Sequence, residues 1–222
     1  ILSGVAILYR ANFQSRALEE AMLRYNIPYQ VLGVKFFERK EIKDTLAYLR
    51  AALNPKSLSD IKRIINFPPR GIGKATLAKI FAGDAQSLPE KTRLKINNFY
   101  EILGEIKKKI TEERASAVIK FVVSRTGIEK ELKDGGEEEL ERLANIKELA
   151  TLALKYDNLP NGLGIERMLE DAALASDQDS LAINEVNPVR GPEGPQGKAS
   201  NGVKLMTVHA SKGLEFNTVF LP

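Results

Sequence analysis

The stretch Val203-Lys204-Leu205-Met206-Thr207-Val208-His209-Ala210-Ser211-Lys212-Gly213-Leu214-Glu215-Phe216 decides how the chain is read. Residues 203–208 form a strand pattern that ends in Thr and His; a Lys-Gly turn and a carboxylate follow. Another short strand pattern comes next, at Thr218-Val219-Phe220-Leu221. Working outward, the far end of the chain carries Val5-Ala6-Ile7-Leu8-Tyr9, a continuously apolar run suited to a strand covered on both faces. Asn12 or Ser15 is placed to cap a following helix, with Leu18, Met22 and Tyr25 along its buried side and Pro28 at its end. Tyr29-Gln30-Val31-Leu32 reads as the next strand, closed by Gly33. Strand, helix, strand in this order predicts a parallel β-α-β unit.

Between these ends the pattern is helical. Ile42, Leu46, Leu49 and Leu53 repeat at helical spacing, and Asn54-Pro55 stops them. Ile61, Ile64 and Ile65 mark a short helix ended by Phe67-Pro68-Pro69. Gly71-Ile72-Gly73 is a tight turn, and Leu77, Ile80 and Phe81 line the helix after it. Ile96, Phe99, Leu103, Ile106 and Ile110 make one long stripe. Val118, Ile119 and Val122 precede a stop at Gly127. Leu140, Leu143, Leu149 and Ala153 mark another helix, and Ile165, Met168, Leu169 and Ala172 the last. From about Asp177 to Gly202 a run of Pro and Gly reads as linker. The fold class expected is mainly α with a small parallel β-sheet, an α/β domain interrupted by an all-α insertion. The abrupt first and last strands read as an excised piece of a longer protein.

Composition narrows the chemistry. With 222 residues the chain is long enough for one or two domains. It has no Cys and one His, so neither a disulfide framework nor a Cys/His zinc site is available. No apolar run approaches the roughly 20 residues that span a bilayer, and the N-terminal stretch lacks a signal peptide's basic flank, so no membrane contact and a cytoplasmic setting are expected. The net charge of +4 permits contact with phosphate backbones without demanding it. Lys107-Lys108-Lys109 reads as a solvated helix face, and Glu137-Glu138-Glu139 as an acidic helix start.

Two places carry readable chemistry. A turn at the end of a parallel strand sits where open α/β sheets bind ligands. There Gly213 allows close backbone approach to a phosphate, Glu215 accepts from a ribose hydroxyl, and Thr207 and His209 donate to a DNA phosphate. The competing reading is a plain strand-turn with His209 as a satisfied core residue. In Pro69-Arg70-Gly71-Ile72-Gly73-Lys74-Ala75-Thr76, a Gly-x-Gly turn enters a helix, which suits a phosphate, and Arg70 and Lys74 add charge. An ordinary helix-helix turn explains it equally well. It is not a P-loop, because Pro68 and Ala75 stand where that motif needs Gly and Ser/Thr.

The string from Thr207 to Phe216 closely resembles motif V of UvrD/PcrA/Rep-type DNA helicases. Ala6-Ile7-Leu8-Tyr9-Arg10-Ala11-Asn12, with Gln14-Ser15-Arg16 and Leu18-Glu19-Glu20, resembles motif IV of the same family. The segment Phe36-Phe37-Glu38-Arg39-Lys40-Glu41-Ile42-Lys43-Asp44 and the helix Glu141-Arg142-Leu143-Ala144-Asn145-Ile146-Lys147-Glu148-Leu149 are similar to helices of that family, and both read as mainly structural. The family also has a Gly-Ile-Gly element at the place of Gly71–Gly73.

This resemblance implies a partial RecA-like motor subdomain at 1–85 and 202–222, with a helical accessory insertion at 86–201. It implies an ATP-dependent 3′→5′ helicase whose missing N-terminal ATPase half holds the Walker motifs. ATP and Mg²⁺ are then cofactors of the parent, single-stranded DNA and duplex junction DNA are partners, and the piece alone is not catalytic. Arg10 becomes an arginine finger and Tyr9 a face for the adenine; the alternative is a core tyrosine and a surface ion pair. Gly213 and Glu215 fall to the nucleotide. Thr207, His209, Lys212, Arg70, Gly71, Gly73 and Lys74 fall to DNA. Two other readings stay open: a RecB/AddA-type helicase-nuclease, and a non-catalytic module that binds DNA or protein.

Overall fold

The computed structural model describes residues 2–184 and 202–222. These divide into two compact units, residues 1–39 with 173–222, and residues 40–172.

The first unit is built on a parallel sheet. β1 (Val5–Tyr9) is followed by α1 (Ser15–Arg24) and β2 (Tyr29–Val31). The chain returns as β3 (Val203–Thr207) and β4 (Thr218–Phe220), giving the order β2-β3-β1-β4. Every pairing is parallel, with Tyr9 opposite Thr207 and Val31 opposite Leu205. Ile7, Tyr9, Met22, Val203 and Leu205 form its core, with Leu18 packed against them. Gly202 enters β3 against the backbone of Pro28, where a Cβ would lie only 2.9 Å from the Pro28 carbonyl carbon. That close approach lets the Val203 N–H donate to the Pro28 carbonyl at 2.9 Å.

α1 does not run to Pro28. It stops at Arg24, Asn26 turns left-handed at φ 51°, and the Ile27 N–H reaches back to the Met22 carbonyl at 2.9 Å. Tyr25, expected on the buried side, therefore falls past the helix end and is 70% exposed.

The second unit is helical. α2 (Lys40–Leu53) and α3 (Leu58–Ile64) are joined across the Asn54-Pro55 break. The Gly71–Gly73 turn leads into α4 (Lys74–Phe81), and α5 (Glu90–Glu112) follows. α6 (Ala115–Arg125) and the short α7 (Ile128–Lys133) are separated by Gly127 at φ 87°. α8 (Glu137–Ala153) and α9 (Leu163–Asn184) complete the helices. The stripe predicted on α5 is buried in full, from Ile96 to Ile110, and meets buried Val118, Ile119 and Val122 of α6. Leu140, expected in a core stripe, is half exposed.

α2 packs on α3, α5 and α8, so it is covered on several flanks. This explains why residues 40–85, grouped by sequence with the strands, pack with the helices that follow them. Two polar links fix the arrangement: the Asn145 amide on α8 donates to Glu41 Oε1 at 2.6 Å, and Arg63 Nε pairs with Asp44 Oδ1 at 2.6 Å. Burial pushes the Asp44 carboxyl up, against the pull of Arg63. Of the linker expected from about Asp177, residues up to Asn184 form the end of α9, and 185–201 lie outside the described residues.

The fold is thus mainly α with a small parallel sheet, as the sequence predicts. Among the described residues no helix is long and apolar enough to cross a membrane.

Candidate functional site

The carboxyl edge of the sheet gathers the first set of candidates. β1 and β3 are neighbours in parallel register, so the residues that leave them emerge side by side. The Val208 N–H donates to the Tyr9 carbonyl at 2.9 Å, which extends the pairing just past both strand ends. Arg10 follows on one side and His209 on the other.

Arg10 is exposed, and its guanidinium has no ion-pair partner among the described residues. Its backbone is held in place: Gln14 Oε1 accepts the N–H of Arg10 at 3.1 Å and that of Ala11 at 2.9 Å. The surface ion pair weighed for this arginine does not form. Tyr9 lies differently. Its ring is 3% exposed and packs in the core, and its hydroxyl shares a hydrogen bond with buried Ser15. Arg39 reaches the same Ser15 hydroxyl at 2.7 Å. Burial raises the Tyr9 phenol above its ordinary value, against the pull of Arg39. Stacking on a base would require this ring to leave the core.

Beyond β3 the chain turns at once. Thr207 Oγ1 accepts the Ala210 N–H at 3.2 Å, and the Thr207 carbonyl accepts the Ser211 N–H at 3.2 Å. The Ser211 hydroxyl donates to the Val208 carbonyl at 2.8 Å. A hydroxyl that accepts one bond still has its own proton to give, so Thr207 remains a donor. Gly213 sits at φ 83° with open space where a Cβ would be, a backbone that L side chains rarely adopt. His209, Lys212, Gly213 and Glu215 are all exposed, so His209 is not a core residue. With exposed Arg10 and half-buried Thr207 they make a set of one guanidinium, one ammonium, an imidazole and a hydroxyl at this edge. Such a set suits phosphate groups. Glu215 is the one acidic side chain among these candidates. Among the described residues no group of three or more His, Cys, Asp or Glu side chains could hold a metal.

The second set surrounds the Gly71–Gly73 turn, and Arg70 departs from expectation. Its guanidinium faces inward. One terminal nitrogen donates to the carbonyls of Ile64, Ile65 and Pro68 at 3.1 to 3.3 Å. The other donates to the Tyr48 hydroxyl at 2.9 Å and the Thr126 carbonyl at 3.3 Å. The charge also lies over the Phe99 ring, 5.5 Å from its centre. Arg70 satisfies carbonyls at the ends of α3 and α6, so its guanidinium is engaged within the helical unit. Gly71 is left-handed at φ 67°, Gly73 caps α4, and both are exposed. Lys74 opens α4; its side chain is outside the described residues. Asn66, which the sequence reading passed over, takes the N–H groups of Arg70 and Ile72 on Oδ1 at 3.2 and 3.0 Å.

The family described as the UvrD-like helicase C-terminal domain matches residues 2–222. The chain belongs to this family. As a UvrD-like C-terminal domain it is 34% identical to a protein named ATP-dependent DNA helicase PcrA from Staphylococcus epidermidis, over 99% of this chain and 30% of that protein. It is 33% identical to ATP-dependent DNA helicase UvrD1 from Mycobacterium tuberculosis, over 99% of this chain and 31% of that protein. The PcrA helicase of Staphylococcus aureus is likewise 33% identical, over 98% and 30%. This UvrD-like chain therefore spans about a third of the length of the curated relatives it matches. Gln14, Ser15 and Asn66 carry no chemistry by themselves, so only their geometry shows what they support.

Proposed function

We propose that the chain is part of an ATP-driven 3′→5′ DNA helicase, in which the first unit serves the motor and the second contacts duplex DNA. The observation that carries this reading is the shared carboxyl edge. β1 and β3 present Arg10 and the Thr207–Glu215 turn next to each other, exposed and rich in donors. The relatives' names support ATP and DNA as the two ligands.

Mg²⁺-ATP, when bound, supplies the phosphoryl group whose hydrolysis drives movement along the strand. This chain contributes one wall of that site. Arg10, with its backbone clamped by Gln14, holds charge that develops on the transferring phosphoryl oxygens. Gly213 gives close backbone approach, and Glu215 accepts from a ribose hydroxyl. Thr207, His209 and Lys212 donate to phosphates of a single strand and position it without reading sequence. The donor set fits a polyanion. It does not make a magnesium cage, so no metal ligand is assigned to this chain. The exposed Gly71 and Gly73, with Lys74, contact the backbone of a duplex arm.

The test is steady-state ATPase of the complete parent protein with Arg10→Ala. Losing stabilisation that is confined to the transition state lowers kcat far more than it raises KM. A loss on the order of 10³ in kcat is expected, as for other arginine fingers. A kcat within a few-fold of the unmodified protein would show that Arg10 has no part in the chemistry.

A further inference from the structure

We propose that Lys95, on α5, is the cation that holds a duplex phosphate at the Gly71–Gly73 turn. The inference rests on reading that turn as a duplex-DNA contact, and it supplies the charge that Arg70, turned inward, does not.

Arg70 cannot provide it. Its two terminal nitrogens are spent on four carbonyls and the Tyr48 hydroxyl, all within the helical unit. Lys95 stands on the other side of the turn. A Cβ built on Gly71 would meet the Lys95 ammonium nitrogen at 3.0 Å, so the ammonium lies directly against the turn backbone. Lys95 is half-buried and has no ion-pair partner among the described residues. A partly desolvated ammonium with no counter-ion is unfavourable, and an anion placed beside it relieves the cost.

The backbone around it is arranged to match. Asn66 draws the N–H groups of Arg70 and Ile72 inward. The N–H groups of Gly71 and Gly73 meet no acceptor among the described residues, and both glycines are exposed. Two free N–H groups and one ammonium at a single turn make a donor set for one phosphate. Gly71 has a second reason to be glycine besides its φ of 67°. A Cβ there would crowd the ammonium at 3.0 Å and make it give way by a few tenths of an ångström.

The test uses the complete parent protein and a fluorescein-labelled duplex with a single-stranded tail, compared with the single strand alone. Binding is followed by anisotropy across a NaCl series for the unmodified protein, Lys95→Ala, Lys95→Arg and Gly73→Asp. Gly73 has open space around it and a φ of −74° at the α4 N-cap, so Asp there is compatible with folding while placing negative charge at the phosphate. Lys95→Ala should weaken the tailed duplex roughly tenfold at moderate salt and flatten the log K against log salt slope by about one unit. The single strand should bind as before, and Lys95→Arg should restore both values. If Gly73→Asp weakens the duplex but Lys95→Ala does not, the assignment of Lys95 falls while the turn keeps its role. If neither variant changes duplex binding, the reading of the turn itself falls. A loss with Lys95→Ala that Arg does not restore, or that is equal on the single strand, also overturns the assignment.

Discussion

Arg10 and Arg70 are the two arginines that the sequence marks for phosphate, and they face opposite ways. Arg10 leaves a strand end into solvent, where Gln14 holds only its backbone. Arg70 follows Pro68-Pro69, and its side chain folds back beneath the turn toward carbonyls that the helices leave open. A charge beside a glycine turn looks the same in sequence in either case. Removal distinguishes them. Arg70→Ala leaves the Ile64, Ile65, Pro68 and Thr126 carbonyls without this donor, and a hydrogen bond to a charged group contributes about 1.5–3 kcal/mol net of its exchange with water. A net destabilisation of about 2–4 kcal/mol is expected in urea unfolding. Arg70→Lys should recover little of it, since one ammonium cannot span acceptors that a planar guanidinium bridges. Unfolding of Arg70→Ala at the unmodified midpoint would return Arg70 to the surface.

Among the elements, α2 shows both what the sequence made legible and what it hid. Its apolar spacing predicts the helix, and Asn54-Pro55 predicts its end. The α5 stripe was equally plain, because 3.6-residue periodicity records a buried face directly. The partners of α2 were not readable. Glu41 and Asn145 sit in two strings that each looked like ordinary helix, yet they share a buried hydrogen bond across 104 positions. Periodicity tells which side of a helix is covered and nothing about which element covers it. The same limit explains the site. The carboxyl-edge turn was legible because strand, turn and glycine are local signals, whereas the burial of Tyr9 and the inward Arg70 depend on distant packing.

Tyr48, in the middle of α2, joins this helix to the Arg70 network, and burial pushes its phenol up to about 12. The ordinary value is 10.0, so between these two the unfolded chain releases a proton that the folded chain keeps. Stability linked to Tyr48 is therefore fully present below pH 10 and is lost as pH rises toward 12. Tyr48→Phe cannot ionise. The stability advantage of the unmodified protein over Tyr48→Phe should begin to shrink above pH 10 in urea titrations, and a difference constant with pH would place the phenol in solvent.

At the scale of the whole molecule, the two units differ in how the chain makes them. The sheet unit is assembled from two ends of the sequence, since β1 and β2 come from its start and β3 and β4 from its last residues. The helical unit is one continuous run, residues 40–172, with its own core of Leu46, Leu49, Phe99, Ile106, Val122 and Leu149. Its packing joins neighbours such as α5 to α6 and α7 to α8 and, equally, helices further apart in the chain, α6 to α8 and α2 to α5 and α8. A continuous segment with its own buried core needs nothing from the sheet to fold. Residues 40–172, produced separately, should unfold in urea as a single cooperative transition. On our reading they should also bind duplex DNA weakly and with strong salt dependence, because that contact runs through Gly71, Gly73 and Lys95. They should show no preference for a single strand and no response to an ATP analogue, because Arg10, Thr207 and His209 are left behind. A non-cooperative transition would show that the helices depend on the sheet unit. A folded segment that prefers single strands would move the strand path onto the helices and remove it from the carboxyl edge.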